Sequence, residues 1–180
     1  MAGGLGLAIG GVMPSLSFGV DWTGKGVLIV YYSRTGHTRT VAKMIQRKTG
    51  GELVEIKTLR PYPEDYDALV AQNVREQESN FLPPLQNRID TTACDIVFIG
   101  SPLWNVRLTP PVRSFVASHD LAGKTVIPFV TYIVSRLGRS HQDIADIASQ
   151  ARILDGLAVL GEDAANAESL VGSWLTTVHS

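Results

Sequence analysis

The 180-residue sequence lacks the features that would assign it to a disulfide-bonded, metal-binding or polyanion-binding class. Its one cysteine, Cys94, can form no disulfide within the chain and no paired-cysteine metal site. The four histidines show no metal-ligand spacing, so we expect no metal. The 16 Lys and Arg residues nearly balance the 17 Asp and Glu residues, so no basic surface for nucleic acid is expected. No apolar run approaches the roughly 20 residues that span a bilayer, so no membrane span is expected.

What the sequence does contain is enough apolar residues, 44% of the chain, for one folded domain. Residues 1–25 differ from the rest because they are rich in glycine and small apolar residues, and Asp21 is their only charge before Lys25. We therefore expect an N-terminal extension over residues 1–25 and a single domain over 26–180. The extension begins without Lys or Arg, unlike a typical secretory signal, so we expect a cytoplasmic protein, with an exported form as the alternative.

Short apolar runs alternate with amphipathic segments from residue 26 onward, which is typical of a βαβ chain. Strands are predicted at 27–32, 52–58, 96–101, 125–132 and 153–161, and helices at 38–49, 64–78, after Pro110, after Ser140 and at 164–176. The second strand mixes apolar and charged residues, so it is predicted to be an edge strand. The pattern predicts an α/β fold with a doubly wound, five-stranded parallel sheet and helices on both faces.

Two local predictions concern these helices. In the helix at 64–78, an apolar stripe of Tyr66, Leu69, Val70 and Val74 is expected to pack against the sheet. At the start of the fourth helix, Ser140 and Asp143 are expected to form a capping box.

Three hydroxyl side chains and a glycine lie between the first strand and the first helix: Ser33, Thr35, Gly36 and Thr38. In a doubly wound sheet the ligand site lies beyond the carboxyl ends of the strands, where this loop falls. Backbone N–H groups at a helix start are unpaired and favour a phosphate, and the hydroxyls add donors. The simpler alternative is that these side chains only cap the helix. The spacing favours a phosphate site.

The motif Ser33-x-Thr35-Gly36-x-Thr38 resembles the FMN phosphate loop of flavodoxins. The similarity continues through residues 60–66, 95–104 and 121–129, so it covers nearly the whole domain. The resemblance implies strand order 2-1-3-4-5 and FMN as cofactor, with the flavin edge held by the loops after the third and fourth strands. It implies no catalytic side chain, since the flavin carries out the chemistry. The implied cofactor-binding residues are Ser33, Arg34, Thr35, Gly36, His37, Thr38, Pro102, Leu103, Trp104, Asn105, Thr131, Tyr132 and Gly138.

Two loops depart from the flavodoxin pattern. After Trp104, relatives usually have a second Trp and a Gly, whereas this chain has Asn105 and Val106; Trp104 either contacts the flavin or covers the sheet end. After Thr131, a glycine-rich stretch is replaced by residues 132–136, so Tyr132 either stacks on the flavin or occupies its place.

The sequence thus predicts an FMN-binding oxidoreductase or electron-transfer protein. The alternative is a flavodoxin-fold binding protein with weakened or lost FMN binding and no redox catalysis. The redox partner, a small molecule or a protein, is not identified, and a homodimer is left open.

Overall fold

The computed structural model describes Trp22 and residues 26–178. Its centre is a parallel sheet of β1 (Val27–Tyr31), β2 (Glu52–Glu55), β3 (Ile96–Trp104), β5 (Thr125–Tyr132), β6 (Arg152–Ile153) and β7 (Leu157–Leu160). The short β4 (Arg107–Leu108) pairs antiparallel with the end of β3. The order is β2-β1-β3-β5-β6, and β7 continues along β5 beyond β6. Counted as the five strands of the sequence analysis, this is the predicted order 2-1-3-4-5.

Helices cover both faces of the sheet. They are α1 (His37–Thr49), α2 (Tyr66–Glu78), α3 (Pro110–Ser118), α4 (Ser140–Ile147) and α5 (Glu168–Thr177), with a 3-10 helix (Gly161–Asn166) before α5. One core lies between the sheet and α1 with α5, and a second lies between the sheet and α3 with α4. β1 is buried at every position because it lies inside the sheet between these two cores. β2 is only partly buried, which confirms the predicted edge strand.

Four of the five predicted strands differ in extent from the prediction. β1 ends at Tyr31 and not at residue 32, and β2 ends at Glu55 and not at residue 58. β3 extends to Trp104 because Leu103 and Trp104 pair with Leu108 and Arg107 of β4. The fifth predicted strand is divided into β6 and β7. The interruption lies opposite Pro128 of β5, whose nitrogen has no hydrogen to donate to a sheet ladder.

The helix α2 is present as predicted, but the predicted choice of its buried face is wrong. Of the predicted apolar stripe only Leu69 is buried, whereas Tyr66, Val70 and Val74 are exposed. The other buried positions of α2 are polar: Asn73, Glu76 and Gln77. Polar groups are buried at low cost when they are hydrogen-bonded, and two of these three have partners described below.

Trp22 is 7% exposed and packs against Phe98 of β3, with ring centroids 5.5 Å apart. This residue of the predicted extension therefore contributes to the core beside α1 and α5. Residues 1–21 and 23–25 lie outside the described residues, so the boundary at residue 25 stays a prediction. Within the described part of the chain, no helix is long and apolar enough to cross a membrane.

Candidate functional site

Residues 33–38 cover most of the loop between β1 and α1 and the first two residues of α1, at the position that the sequence predicts. α1 begins at His37, and Gly36 is its N-cap residue with φ of +94°. Side chains rarely tolerate this left-handed conformation, which is why glycine suits the position. Beyond its chain neighbours, no atom lies within 4 Å of the place where a Cβ of residue 36 would be. The loop is therefore open above Gly36, and a ligand atom can approach the backbone.

The backbone donors of this loop are only partly used. The Oγ of Ser33 accepts hydrogen bonds from the backbone N–H of Gly36 (3.2 Å) and of Arg39 (3.3 Å). Within the described residues, the N–H groups of Thr35, His37 and Thr38 donate no hydrogen bond. Such donors at a helix start, together with the positive end of the helix dipole, favour an anion. The Ser33 hydroxyl, which accepts two bonds, still has its own hydrogen to donate.

The hydroxyls of Thr35 and Thr38 lie in different environments. Thr35 is exposed, and its Oγ1 lies 3.4 Å from Nδ1 of His37. Thr38 is 1% exposed, and its Oγ1 lies 2.8 Å from Oγ1 of Thr131 at the end of β5. Thr38 thus ties the start of α1 to β5, while Thr35 faces solvent above the loop.

The second group of predicted residues lies at the carboxyl end of β3 and in the turn that follows it. Pro102 lies beside Thr131 in the sheet register, and Leu103 and Trp104 complete the strand. The chain then turns through Asn105 and Val106, which have φ of +51° and +60°. Two successive left-handed residues form a tight hairpin turn, a conformation that suits glycine better than a β-branched residue such as Val106.

Trp104 belongs to a cluster of three rings. Its ring centroid lies 5.2 Å from that of Tyr62 and 5.8 Å from that of Tyr32, both in edge-to-face geometry. Tyr32 and Tyr62 are themselves 6.1 Å apart. Burial is the largest cause that raises the pKa of Tyr32 to about 12 and the pKa of Tyr62 well above its usual value. Both tyrosines are therefore neutral hydrogen-bond donors near pH 7.

The third group lies after β5. Tyr132 ends the strand, and the side chains of Ile133 and Val134 are 85% and 86% exposed. These two side chains consequently do not fill the space in front of the sheet. Gly138 has φ of +51°, and a Cβ there would lie 2.3 Å from the carbonyl oxygen of Val106. The loops after β3 and β5 therefore touch each other, and only glycine fits at this contact.

Asp143 joins the hairpin after β3 to α4 and does not cap its own helix as the sequence predicts. Asp143 of α4 accepts hydrogen bonds from Nε and Nη2 of Arg107 and from the backbone N–H of Leu108. The predicted capping box is wrong, because the N-cap of α4 is Arg139 and the Ser140 hydroxyl is buried without a partner among the described residues. The inward position of an acidic residue beside Ile144 is the sequence signal that could have indicated this role.

A groove of 740 Å³ flanks the loop on the side of β2. Arg34 forms part of its wall, and its Nη2 donates to the backbone carbonyl of Glu64 at 2.7 Å. Arg39, also in the wall, forms a salt bridge with Glu55 at 2.6 Å, so these two charges offset each other. Three of the predicted site residues line this groove: Ser33, Arg34 and Thr35. The predicted residues at the ends of β3 and β5 and in the loops that follow do not line this groove.

The structure thus places most of the predicted residues near one another at the carboxyl ends of β1, β3 and β5. Thr38 contacts Thr131, Thr131 is paired with Pro102, and Gly138 lies against the hairpin after Trp104. His37 lies beside the start of the 3-10 helix, where a Cβ on Gly161 would come within 2.9 Å of its Nδ1. Asn105 instead points toward α2, with Nδ2 3.4 Å from Oε1 of Gln77. Among the described residues, no group of His, Cys, Asp and Glu side chains could hold a metal ion.

Comparison with known protein families gives a match to the flavodoxin model over residues 26–178. The chain belongs to the flavodoxin family. No curated protein sequence matches it.

Solved structures with similar folds include candidate flavoproteins from two Bacteroides species. For the protein of Bacteroides eggerthii the TM-score is 0.76 at 25% identity, and the alignment covers 87% of this flavodoxin-family chain and 99% of that one. For the protein of Bacteroides uniformis the TM-score is 0.75 at 26% identity, with 85% and 99% covered. A flavoprotein of Lactobacillus acidophilus, solved in complex with FMN, has a TM-score of 0.68 at 22% identity, with 74% and 93% covered.

Proposed function

We propose that this protein binds FMN and acts as an oxidoreductase or an electron-transfer protein. The observation that carries the proposal is the accessible backbone of residues 33–38, at the junction of β1 and α1. There, Gly36 leaves the backbone accessible, and the N–H groups of Thr35, His37 and Thr38 have no partner within the described residues. These donors suit the phosphate of FMN. The family match and the FMN complex of the Lactobacillus acidophilus relative support the same cofactor.

The residues would divide the binding between them. Ser33, Thr35 and the backbone at the start of α1 would hold the phosphate, and the buried Thr38 would hold that helix start against β5. Trp104 and the segment after Tyr132 would border the flavin ring, since Trp104 is the last residue of β3 and the segment follows the end of β5. The bound flavin supplies the redox chemistry, and the protein supplies binding, orientation and exclusion of water.

Titration of the apoprotein with FMN, FAD and riboflavin tests the proposal. FMN should bind much more tightly than riboflavin, because the loop recognises the phosphate. The Thr35→Ala variant should lose about 1.5–3 kcal/mol of FMN binding, the range for a hydrogen bond to a charged group. Equal affinity for FMN and riboflavin would contradict a phosphate-centred site.

A second candidate is a flavodoxin-fold protein that retains FMN weakly and performs no redox catalysis. The observation that favours it is the exposure of Ile133 and Val134, because the segment after β5 places no side chain of these residues around a ring site. Apolar enclosure normally provides much of a cofactor's affinity. A protein that purifies with a full complement of FMN would contradict this candidate.

A further inference from the structure

Apart from Leu69, the inward face of α2 is polar, although the helix also carries other apolar side chains. Asn73, Glu76 and Gln77 are 5–6% exposed, whereas Val70 and Val74 face solvent. Burying such polar groups costs free energy unless each finds a partner. The partners of Glu76 and Gln77 therefore indicate what this face of the helix does.

Gln77 holds the backbone of the hairpin that follows β3. Its Nε2 donates to the carbonyl oxygen of Trp104 at 2.8 Å, and its Oε1 lies 3.4 Å from Nδ2 of Asn105. These contacts join positions 27 and 28 residues apart in the sequence. The residue is therefore in place to set where the hairpin lies relative to α2.

Glu76, the preceding residue, holds a ring that contacts the Trp104 side chain. Its Oε2 accepts a hydrogen bond from the Tyr62 hydroxyl at 2.5 Å, and its Oε1 accepts one from Nε2 of Gln72 at 2.8 Å. Tyr62 packs edge-on against Trp104 with an angle of 73° between the ring planes. Because burial and the contact with Glu76 keep the Tyr62 phenol protonated, it is a permanent donor near neutral pH.

We infer that Tyr62 and Glu76 are positioning residues that hold the Trp104 ring in the orientation required to cover the flavin. Glu76 fixes the phenol of Tyr62, and the Tyr62 ring limits how Trp104 can rotate. Tyr32 limits it from a second direction, since its ring is perpendicular to that of Trp104. The inference rests on the proposed FMN binding and adds to it the residues that prepare the ring site before the cofactor arrives.

A purely structural role would look different in experiments. If Glu76 and Tyr62 only attached α2 to the sheet, their loss would lower stability and leave the Trp104 environment and its contribution to binding unchanged. If they position Trp104, the effect of Tyr62 on FMN binding should disappear once Trp104 is removed. Such dependence of one substitution on another is what a double-mutant cycle measures.

The test compares FMN dissociation constants of the wild type, Tyr62→Phe, Trp104→Leu and the double variant. Tyr62→Phe keeps the ring but removes the hydrogen bond to a carboxylate, and we expect about ten-fold weaker FMN binding. In the Trp104→Leu background, the same substitution should change the constant by less than about two-fold. Equal weakening in both backgrounds, or no weakening in the wild-type background, would overturn the inference.

A second readout uses the apoprotein, so that it does not depend on FMN. In each protein, the near-ultraviolet circular dichroism of Trp104 is obtained as the difference between the spectra with and without the Trp104→Leu substitution. This difference should be smaller in Tyr62→Phe and in Glu76→Ala than in the wild type. It should be largely retained in Glu76→Gln, which keeps an acceptor oxygen. An unchanged signal in Tyr62→Phe would overturn the positioning role. If the wild type fails to bind FMN, the proposed function fails while this readout still decides the inference.

The matched control is Ser79→Ala at the C-cap of the same helix. The Ser79 hydroxyl donates to the backbone carbonyl of Arg75 at 2.7 Å and, more weakly, to that of Glu76 at 3.5 Å, so the variant also loses a side-chain donor to the backbone. This side chain makes no hydrogen bond to the Trp104 hairpin or to Tyr62. We expect the control to leave both the dichroism of Trp104 and the FMN dissociation constant unchanged. A control that matched Tyr62→Phe in both readouts would show a general effect of α2 stability and overturn the inference.

Discussion

Arg107 of β4 and Asp143 of α4 form a salt bridge of 2.8 Å across 36 residues of sequence. The Asp143 side chain is fully buried, and its second oxygen accepts the backbone N–H of Leu108 at 2.9 Å. One carboxylate therefore satisfies a side-chain donor and a backbone donor of the same short strand. This contact joins the hairpin after Trp104 to the helix that follows the β5 loop.

Replacing Asp143 should strongly destabilise the fold. In Asp143→Ala, Arg107 and the N–H of Leu108 lose their buried acceptor, so we expect the free energy of unfolding to fall by about 3–5 kcal/mol. Urea denaturation of the two proteins measures the difference. The control is Glu168→Ala, which removes the exposed salt bridges to Arg47 and Lys48 and should cost much less. Equal losses would contradict the role of Asp143.

Val106 should be a site where substitution stabilises the protein. It is a β-branched residue with φ of +60°, and it is 46% exposed at the tip of the hairpin. Val106→Gly should raise the free energy of unfolding by about 1 kcal/mol, because the left-handed conformation costs a β-branched residue more than it costs glycine.

The control for this prediction is the same substitution at a helical position. Val74 is similarly exposed, at 38%, but lies within α2. Val74→Gly should lower the free energy of unfolding, because glycine is unfavourable in a helix interior. If thermal or urea unfolding showed both variants to be destabilised, Val106 would not be strained.

Gly36 and Gly50 lie at opposite ends of α1, so substitutions at these two positions distinguish an effect on stability from an effect on FMN binding. Both have positive φ, +94° and +70°, and at both a Cβ would meet no atom within 4 Å. Gly36→Ala and Gly50→Ala should each cost about 1–2 kcal/mol of stability through backbone strain. Only Gly36→Ala should also weaken FMN binding, because only this residue lies in the phosphate loop. Calorimetric titration with FMN measures the affinity, and equal weakening in both variants would count against the loop assignment.

Substitutions in the segment after β5 should change the affinity for FMN without a large loss of side-chain packing. Changing Tyr132→His, Ile133→Gly and Val134→Gly together should tighten FMN binding, since glycine allows the backbone to approach the ring. The more flexible loop offsets part of this gain. Because both aliphatic side chains are more than four-fifths exposed, the apoprotein should lose little packing. Weaker binding by the variant would mean that this segment contacts the flavin directly.

Stability should fall at alkaline pH through Tyr32. Burial raises the pKa of its phenol from 10.0 to about 12, so the folded state holds the proton more tightly than the unfolded state does. This contribution is fully present below pH 10 and is lost as the pH rises from 10 to 12. The free energy of unfolding, measured by urea denaturation across this range, should fall less steeply in Tyr32→Phe than in the wild type. Parallel curves would contradict the raised pKa.

Local sequence determined much of the framework. The apolar runs of β1, β3 and β5 identify buried parallel strands, and the mixed composition of β2 identifies the edge. The proposed phosphate loop could be predicted because three hydroxyl residues and Gly36 lie within six residues at the junction of a strand and a helix. These features depend on residues within one turn or one strand, so periodicity and composition are sufficient to predict them.

Only the tertiary structure decided which side chains act across the site. The inward face of α2 is polar because Glu76 meets Tyr62 and Gln77 meets the hairpin at Trp104, contacts that no helical period encodes. Asp143 binds Arg107 instead of capping its own helix, since the fold brings a partly buried cation within 2.8 Å of this fully buried carboxylate. A polar residue takes the partner that desolvation makes most favourable, and that partner is known only when distant segments have packed together.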